Sequence, residues 1–227
     1  IDAGTFKFHG RRYQLPLNEP WRNNHLHGLV ATREWELRNR SANAVLFGCG
    51  VEESAGLGVP FDVEILYEFS GSTMVQRTTV RNGGELPMPF GIGFHTEFRW
   101  EIVRPRFLAS GRKLPWDQFN PNDWFDPSKQ TISCHFPMET KEFDGKPFRG
   151  ALLDYDDLRV RYESGPEFRH WCLWNYDPSD GFLCPEPMSW LVNAPNLPLP
   201  PEETGFQTIA PHGSWNGINR ISVEELQ

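Results

Sequence analysis

The sequence lacks the features that would assign it to a membrane-spanning or nucleic-acid-binding class. It contains no run of about 18 apolar residues, so no membrane-spanning helix is predicted. Basic residues are outnumbered, with 22 Lys and Arg against 30 Asp and Glu, and the formal net charge is −8. Because nucleic-acid binding needs a basic surface, this balance argues against such a partner. No charged segment followed by an apolar one opens the chain, so no signal peptide is predicted.

Paired cysteines are also lacking. The four cysteines are scattered and none forms a C-x-x-C pair, which argues against a zinc knuckle or a disulfide framework. The simplest interpretation is a cytoplasmic protein with free thiols. A single disulfide bond remains an alternative. The cysteines are Cys49, Cys134, Cys172 and Cys184.

Stretches that could form long helices are equally scarce, because 20 Pro and 20 Gly are spread through the 227 residues. Period-two alternation is frequent instead, as in residues 62–69 and 158–163. Residues 5–15 predict a hairpin with a two-residue turn at His9 and Gly10, and residues 70–73 predict a second turn. The segment 105–137 predicts long ordered loops with short strands, which in a compact all-β domain often form a functional rim.

These patterns predict an all-β protein, a large antiparallel β-sandwich in which residues 1–227 form a single domain. No linker, internal repeat or low-complexity tract divides the chain. The chemistry is expected on one face or edge of the sandwich.

The first segment that could carry chemistry is residues 23–28, N-N-H-L-H-G. On a strand, His25 and His27 would share one face, which is the spacing of metal ligands. A cupin-type site would add a carboxylate soon after this pair. Glu34 does follow, but six residues separate it from His27, and the Gly-rich second half of a cupin motif is not evident. We interpret His25 as structural and keep the metal site as an alternative.

Two further segments hold a candidate acid and a candidate base. His95 lies in an apolar, Pro- and Gly-rich stretch, where a buried imidazole needs a hydrogen-bond partner and can also exchange a proton near neutral pH. Glu186 lies between Pro185 and Pro187, which favour an extended backbone and so direct its side chain. Apolar neighbours would desolvate this carboxyl group and raise its pKa. A solvated strand-edge glutamate or a structural histidine remains the alternative for each.

In their order, these segments resemble the aldose 1-epimerases, or galactose mutarotases. That family carries N-x-L-H-G early, G-x-H-P-Y-F in the middle, and E-P followed by N-x-P near the end. Here these motifs are residues 24–28, residues 93–98 (G-F-H-T-E-F), Glu186-Pro187 and residues 193–195. The resemblance covers nearly the whole chain and implies the galactose-mutarotase-like β-sandwich.

The resemblance implies roles for five residues. His95 would be the catalytic acid and Glu186 the catalytic base of anomer interconversion. His27, Asn24 and Asp144 would bind sugar hydroxyls, with Asp144 one position away from the family spacing. Acid and base should lie several ångströms apart on an open cleft. Among the nine tryptophans, two or three are expected to line that cleft and the rest to belong to the core.

The sequence departs from the family at two places. Thr96 and Glu97 stand where the family has Pro-Tyr, which would reshape the pocket beside His95. The chain begins at Ile1, inside what resembles the family's Asn-Arg-Ile stretch, which implies that N-terminal strands and a substrate-binding arginine are missing. We expect a monomer or homodimer that binds a hexose or hexose phosphate, without a membrane, a metal or another cofactor.

Two other functions stay open. A sugar-6-phosphate 1-epimerase would need clustered arginines, and Arg99, Arg104 and Arg106 follow His95 closely. A non-catalytic carbohydrate-binding protein would keep the fold without turnover.

Overall fold

The fold consists almost entirely of antiparallel strands. The computed structural model describes residues 1–99, 106–111, 125–126, 131–175 and 181–226, and is 54% strand and 6% helix. The strands are β1 (Thr5–Phe8), β2 (Arg11–Gln14), β3 (Glu36–Arg40), β4 (Ala44–Val51), β5 (Phe61–Ser70), β6 (Thr73–Asn82), β7 (Met88–Phe90), β8 (Phe98–Arg99), β9 (Arg106–Ala109), β10 (Phe125–Asp126), β11 (Thr131–Pro137), β12 (Lys141–Phe143), β13 (Lys146–Phe148), β14 (Gly150–Asp154), β15 (Leu158–Ser164), β16 (His170–Asn175), β17 (Phe182–Met188), β18 (Gln207–Ile209) and β19 (Ser214–Glu225).

Helices are short within the described ranges. One α-helix, α1, covers Pro201–Thr204, and 3₁₀ turns cover Pro20–Arg22, Glu53–Ala55 and Ala194–Asn196. No helix in this part of the chain has the length and apolar character needed to cross a bilayer. The all-β, antiparallel class predicted from the sequence is therefore confirmed.

The chain divides into two compact units. Unit 1 comprises residues 1–68, 76–92 and 190–217, and unit 2 comprises residues 69–75, 93–189 and 218–227. The single domain expected from the sequence stays a prediction.

Unit 1 is built from hairpins. Strands β3, β4 and β5 pair with their sequence neighbours in antiparallel register, and β7 pairs with β18. In the β1–β2 hairpin, Phe8 pairs with Arg11, and His9 and Gly10 both have positive φ, as a two-residue type I′ turn requires. The predicted first hairpin is confirmed. Phe6 and Tyr13 stack across it with ring centroids 4.9 Å apart and are buried.

Unit 2 contains two antiparallel sheets that pack face to face. One has the strand order β10-β11-β16-β17-β8, and the other continues from β19 through β15 and β14 to β9. The core between them is aromatic and aliphatic: Trp171, Leu173 and Leu183 of the first sheet have no exposed surface. Tyr162 of β15 contacts Trp171, with ring centroids 6.2 Å apart, which joins the two layers.

The strand predictions are largely confirmed. The alternating segments 62–69 and 158–163 lie in β5 and β15, where Val63, Ile65, Val160 and Tyr162 are buried. Phe69, predicted to face the same side as Val63, is 47% exposed because it lies at the end of β5, next to the turn. The segment 105–137 contributes β9, β10 and β11, while residues 112–124 and 127–130 lie outside the described part.

Candidate active site

Strand β17 positions Glu186 through its two flanking prolines. Glu186 pairs with Cys172 of β16, and the amide N of Phe94 donates to the carbonyl O of Pro187 at 3.2 Å. Since the N–H and C=O of one strand residue point the same way, the proline nitrogens face away from β16. The missing N–H groups of Pro185 and Pro187 therefore cost no hydrogen bond to β16. The extended Glu186 predicted from the sequence is found in this rigid strand.

The segment before β8 turns His95 towards the same face. Phe94 packs edge-on against the fully buried Phe168, with ring centroids 5.9 Å apart. The Thr96 hydroxyl hydrogen-bonds to the hydroxyl of Tyr162 at 3.1 Å. Because the residues on both sides of His95 are anchored in the core of unit 2, the imidazole points outwards.

The structure brings His95 and Glu186 into direct contact. The imidazole Nε2 of His95 lies 3.3 Å from Oε1 of Glu186. The carboxyl group is mostly buried, with 13% of its side chain exposed, whereas the imidazole is 36% exposed. Burial raises the pKa of Glu186 to about 8, because desolvation disfavours the carboxylate. This pKa lies close to the range of a general base that works near neutral pH.

This contact is shorter than the sequence suggests. We expect several ångströms between acid and base with room for a sugar, and the observed distance is 3.3 Å. A buried carboxyl group needs a hydrogen-bonding partner, and the imidazole of His95 supplies one. A sugar would have to separate the two side chains.

The register of the sheet adds residues that sequence reasoning missed. His135, Cys172 and Glu186 follow one another across β11, β16 and β17, and directly paired residues share a face. Trp174, paired with Cys184, lies beside His95 with ring centroids 5.1 Å apart in edge-on geometry. Trp174 is thus an aromatic residue at the candidate site. No signal in the linear sequence singles it out among nine tryptophans.

Three of the neighbouring side chains have the donor atoms of a metal site. One ligand atom each of His95, Glu97 and Cys184 lies within 4.8 Å of the other two. Cys184 is fully buried, and desolvation together with the nearby carboxylates of Glu186 and Glu97 raises the pKa of its thiol. Three cysteines have described side chains, and none of these three forms a disulfide: Cys49, Cys172 and Cys184.

Asn24 and His27 both lie in unit 1, Asn24 in isolated antiparallel bridges with Asp2 and Glu19, and His27 in a bend. Residues 23–28 do not form the strand on which His25 and His27 would share one face, because Asn23, His27 and Gly28 all have positive φ, which breaks an extended backbone. His27 is exposed, whereas His25 is 4% exposed and its Nδ1 lies 2.7 Å from the carbonyl O of Pro16. The two histidines therefore do not share a face, and the structural interpretation of His25 fits its burial.

Asp144 occupies the turn of the β12–β13 hairpin. Asp144 and Gly145 have positive φ between the paired residues Phe143 and Lys146. The Asp144 side chain is 70% exposed and lies 3.5 Å from Arg159. Arg159 and Tyr162 lie on opposite faces of β15, and it is Tyr162 that packs on the sheet of Glu186. Asp144 is thus placed away from the His95–Glu186 pair, and its sugar-binding role stays a prediction.

Three arginines follow His95 closely in the sequence, and the structure describes only the first of them, Arg99, fully. Arg99 pairs with Phe182 of β17 and therefore lies on the face of Cys184 and Glu186, where it is exposed. Arg104 lies outside the described residues, and only the backbone of Arg106 is described.

Comparison with known proteins identifies the family. The family model for aldose 1-epimerase matches residues 1–219. The chain belongs to the aldose 1-epimerase family. It is 25% identical over 240 residues to the uncharacterized protein YphB of Escherichia coli (strain K12), which spans all of this chain and 81% of that protein. The uncharacterized protein YihR of the same organism is 28% identical over 96 residues, 42% of this chain and 31% of that protein.

The fold comparison agrees with this membership. A galactose mutarotase-like protein from Clostridium acetobutylicum matches with a TM-score of 0.88 and 25% identity, over the whole chain and 77% of that structure. The predicted galactose-mutarotase-like fold of this aldose 1-epimerase family member is thereby confirmed. The family and this similarity support a sugar epimerase type of function.

Proposed function

We propose that the protein is an aldose 1-epimerase that interconverts the α and β anomers of a hexose. The observation that carries this proposal is the contact between His95 and Glu186, which lie 3.3 Å apart on one face of unit 2. A buried carboxyl group beside an exposed imidazole is suited to moving a proton in each direction. Family membership supplies the substrate class.

Glu186 acts as the base and His95 as the acid. Glu186 removes the proton from the C1 hydroxyl while His95 donates a proton to the ring oxygen. The electron pair of the O–H bond forms the carbonyl, and the C1–O bond to the ring oxygen breaks. The product is the open-chain aldehyde, with one proton moved onto Glu186 and one taken from His95.

Ring closure returns both protons. Rotation about C1–C2 presents the other face of the aldehyde to the C5 hydroxyl, which attacks C1. His95 then accepts the proton of that hydroxyl, and Glu186 returns a proton to the new C1 hydroxyl. The exposed position of His95 leaves room for this rotation, and the raised pKa of Glu186 favours proton uptake by its carboxylate. The cycle is neutral overall and needs no cofactor.

Binding of the sugar is assigned to polar and aromatic side chains. Trp174 offers an aromatic edge beside His95. His27 is exposed and Asn24 half-buried in unit 1, and we assign both to sugar hydroxyls on the strength of the family motif. These assignments are part of the proposal.

A sugar-6-phosphate epimerase is the second candidate. Its support is Arg99, which lies exposed on the face of Cys184 and Glu186. Exchange rates of glucose and glucose 6-phosphate should be compared in wild type and Arg99→Gln. A preference for the phosphate that disappears in Arg99→Gln would favour this candidate.

The main test removes the proposed base without changing its shape. Exchange between the α and β signals of galactose or glucose can be followed by magnetisation-transfer NMR. Glu186→Gln should lower the enzyme-dependent exchange rate by about a hundredfold or more. Glu163→Gln is the matched control, because Glu163 lies on the face of β15 that points away from Tyr162.

Two results would contradict the proposal. Unchanged exchange in Glu186→Gln would remove Glu186 as the base. Saturable sugar binding without any enzyme-dependent exchange in wild type would indicate a non-catalytic carbohydrate-binding protein.

A further inference from the structure

The candidate site contains more metal-ligand chemistry than the proposed reaction uses. One donor atom each of His95, Glu97 and Cys184 lies within 4.8 Å of the other two. The set combines an imidazole nitrogen, a carboxylate oxygen and a thiol sulfur. This combination is typical of transition-metal sites rather than of Mg²⁺ or Ca²⁺, which prefer oxygen ligands.

The fold produces this cluster from two segments with the same spacing. His95 and Glu97 are two residues apart and both exposed, since Phe94 and Thr96 are anchored inwards on Phe168 and Tyr162. Cys184 lies two residues before Glu186 on the same face of β17. The pairing of Phe182 with Arg99 fixes the two segments side by side. The cluster is thus held by strand register and core contacts.

We propose that His95, Glu97 and Cys184 bind one divalent transition-metal ion, with Zn²⁺ as the reference ion, and that the bound ion inhibits the active site.

The distances and charges suit a zinc ion. Tetrahedral zinc with bonds of about 2.0–2.3 Å places its ligand atoms roughly 3.3–3.8 Å apart. The donor atoms lie at most 4.8 Å apart, and His95 and Glu97 are the exposed members of the cluster, whose side chains can move to close it. The negative charge of the Glu97 carboxylate attracts the cation.

Binding exchanges one proton for the metal. The thiol of Cys184 loses its proton to solvent, and its sulfur, the lone pair of neutral His95 and the carboxylate of Glu97 then bind the ion. The inhibition requires that the ion bind Nε2, the nitrogen that faces Glu186, because an imidazole nitrogen that holds a metal has no lone pair for a proton. With the ion on Nε2, His95 cannot serve as the acid, so the inhibition, unlike the binding, rests on the proposed function.

Binding is tested first, without reference to activity. Titration calorimetry with Zn²⁺ in a non-chelating buffer should show one site in wild type. Cys184→Ser and Glu97→Gln should each lower the Zn²⁺ affinity of this site at least about tenfold. Co²⁺ as a second probe should give a thiolate-to-metal charge-transfer band that is absent in Cys184→Ser. Cys49→Ser, which removes a buried cysteine of unit 1, should bind like wild type.

Inhibition is tested in the same variants. The anomer exchange rate is measured before and after addition of Zn²⁺ and again after a chelator, and each variant is compared with its own metal-free rate. In wild type and Cys49→Ser, Zn²⁺ should lower the exchange rate at least about tenfold, and the chelator should restore it. Cys184→Ser and Glu97→Gln should be inhibited at least about tenfold less at the same Zn²⁺ concentration.

The outcomes separate the two proposals. Zinc affinity and cobalt spectrum unchanged in Cys184→Ser would overturn the metal site. Cysteine-dependent binding in a protein that shows no exchange would support the site and refute the epimerase function. Cysteine-dependent binding with full exchange in the zinc-bound protein would overturn the inhibition.

Discussion

Two segments of the chain have the same short spacing and opposite structures. Residues 25–27 read His-x-His and residues 95–97 read His-x-Glu. In unit 1, His25 is buried and His27 is exposed. In unit 2, His95 and Glu97 are both exposed and their donor atoms converge with Cys184.

The backbone causes this difference. Asn23, His27 and Gly28 have positive φ, so residues 23–28 turn instead of extending, and residues two apart do not share a face. Phe94 and Thr96 are both anchored inwards, so the residues on either side of Thr96 point outwards together. Spacing of i and i+2 therefore predicts a common site only where the backbone is extended.

The largest effect on the anomer exchange rate is expected at His95. His95→Gln should lower the anomer exchange rate by about a hundredfold or more, because the ring oxygen loses its proton donor. The measurement is magnetisation-transfer NMR with galactose at saturation.

His212→Gln is the matched control for His95→Gln. His212 Nε2 lies 3.0 Å from the carboxylate of Glu85 in an exposed contact within unit 1, so the same substitution removes another histidine–glutamate contact. Exchange in this variant should stay within about twofold of wild type. Equal rates in His95→Gln and wild type would remove His95 as the acid.

At His27 we expect a smaller effect, on binding. His27→Ala should raise KM about fivefold to tenfold with little change in kcat, because one hydrogen bond to the sugar is worth roughly 1–1.5 kcal/mol. Steady-state kinetics over a galactose series measures both constants. A fall in kcat with unchanged KM would instead place His27 in the proton-transfer machinery.

His25 should affect stability and its pH dependence rather than turnover. Burial lowers the pKa of His25 below its ordinary value, so the unfolded chain takes up this proton first as the pH falls. Neutral His25 therefore contributes to the free energy of unfolding above about pH 6.5. This contribution is lost as the pH falls towards the pKa of His25 in the folded protein.

The pH dependence can be tested with His25→Asn, whose amide can still donate to the carbonyl O of Pro16. Its Tm should fall less steeply than that of wild type between pH 7 and pH 5, measured by thermal unfolding at several pH values. Parallel curves for the two proteins would show that His25 does not titrate on unfolding.

The smallest effect is expected at Asp144. Asp144→Asn removes an exposed ion pair with Arg159, which is worth less than about 1 kcal/mol. Exchange and KM should stay within about twofold of wild type. A fivefold rise in KM would instead support the sugar-binding role that the family resemblance implies.

Local chemistry made several elements predictable. His9-Gly10 adopts the left-handed conformations of a two-residue turn, and residues 62–69 and 158–163 form strands because their apolar residues alternate. The extended backbone at Glu186 was predictable because two prolines flank this residue, whereas its role as a base came from the family resemblance. The family motifs carried the remainder of the site prediction.

Other features depended on contacts between distant segments. Nothing in the sequence places Trp174 beside His95 or aligns His135, Cys172 and Glu186, because these relations arise from strand register. The direct contact of His95 with Glu186 was also not predicted, since side-chain distances follow from packing.

The sequence by itself determined the all-β class, the hairpin turns and the identity of the candidate acid and base, because alternation, turn residues and proline act within a few residues. Only the tertiary structure decided which histidine of residues 25–27 is buried. It also decided that Asp144 lies apart from the candidate pair and that Cys184 and Glu97 converge on His95. Those outcomes depend on the register and packing of strands far apart in the chain, which short-range chemistry does not specify.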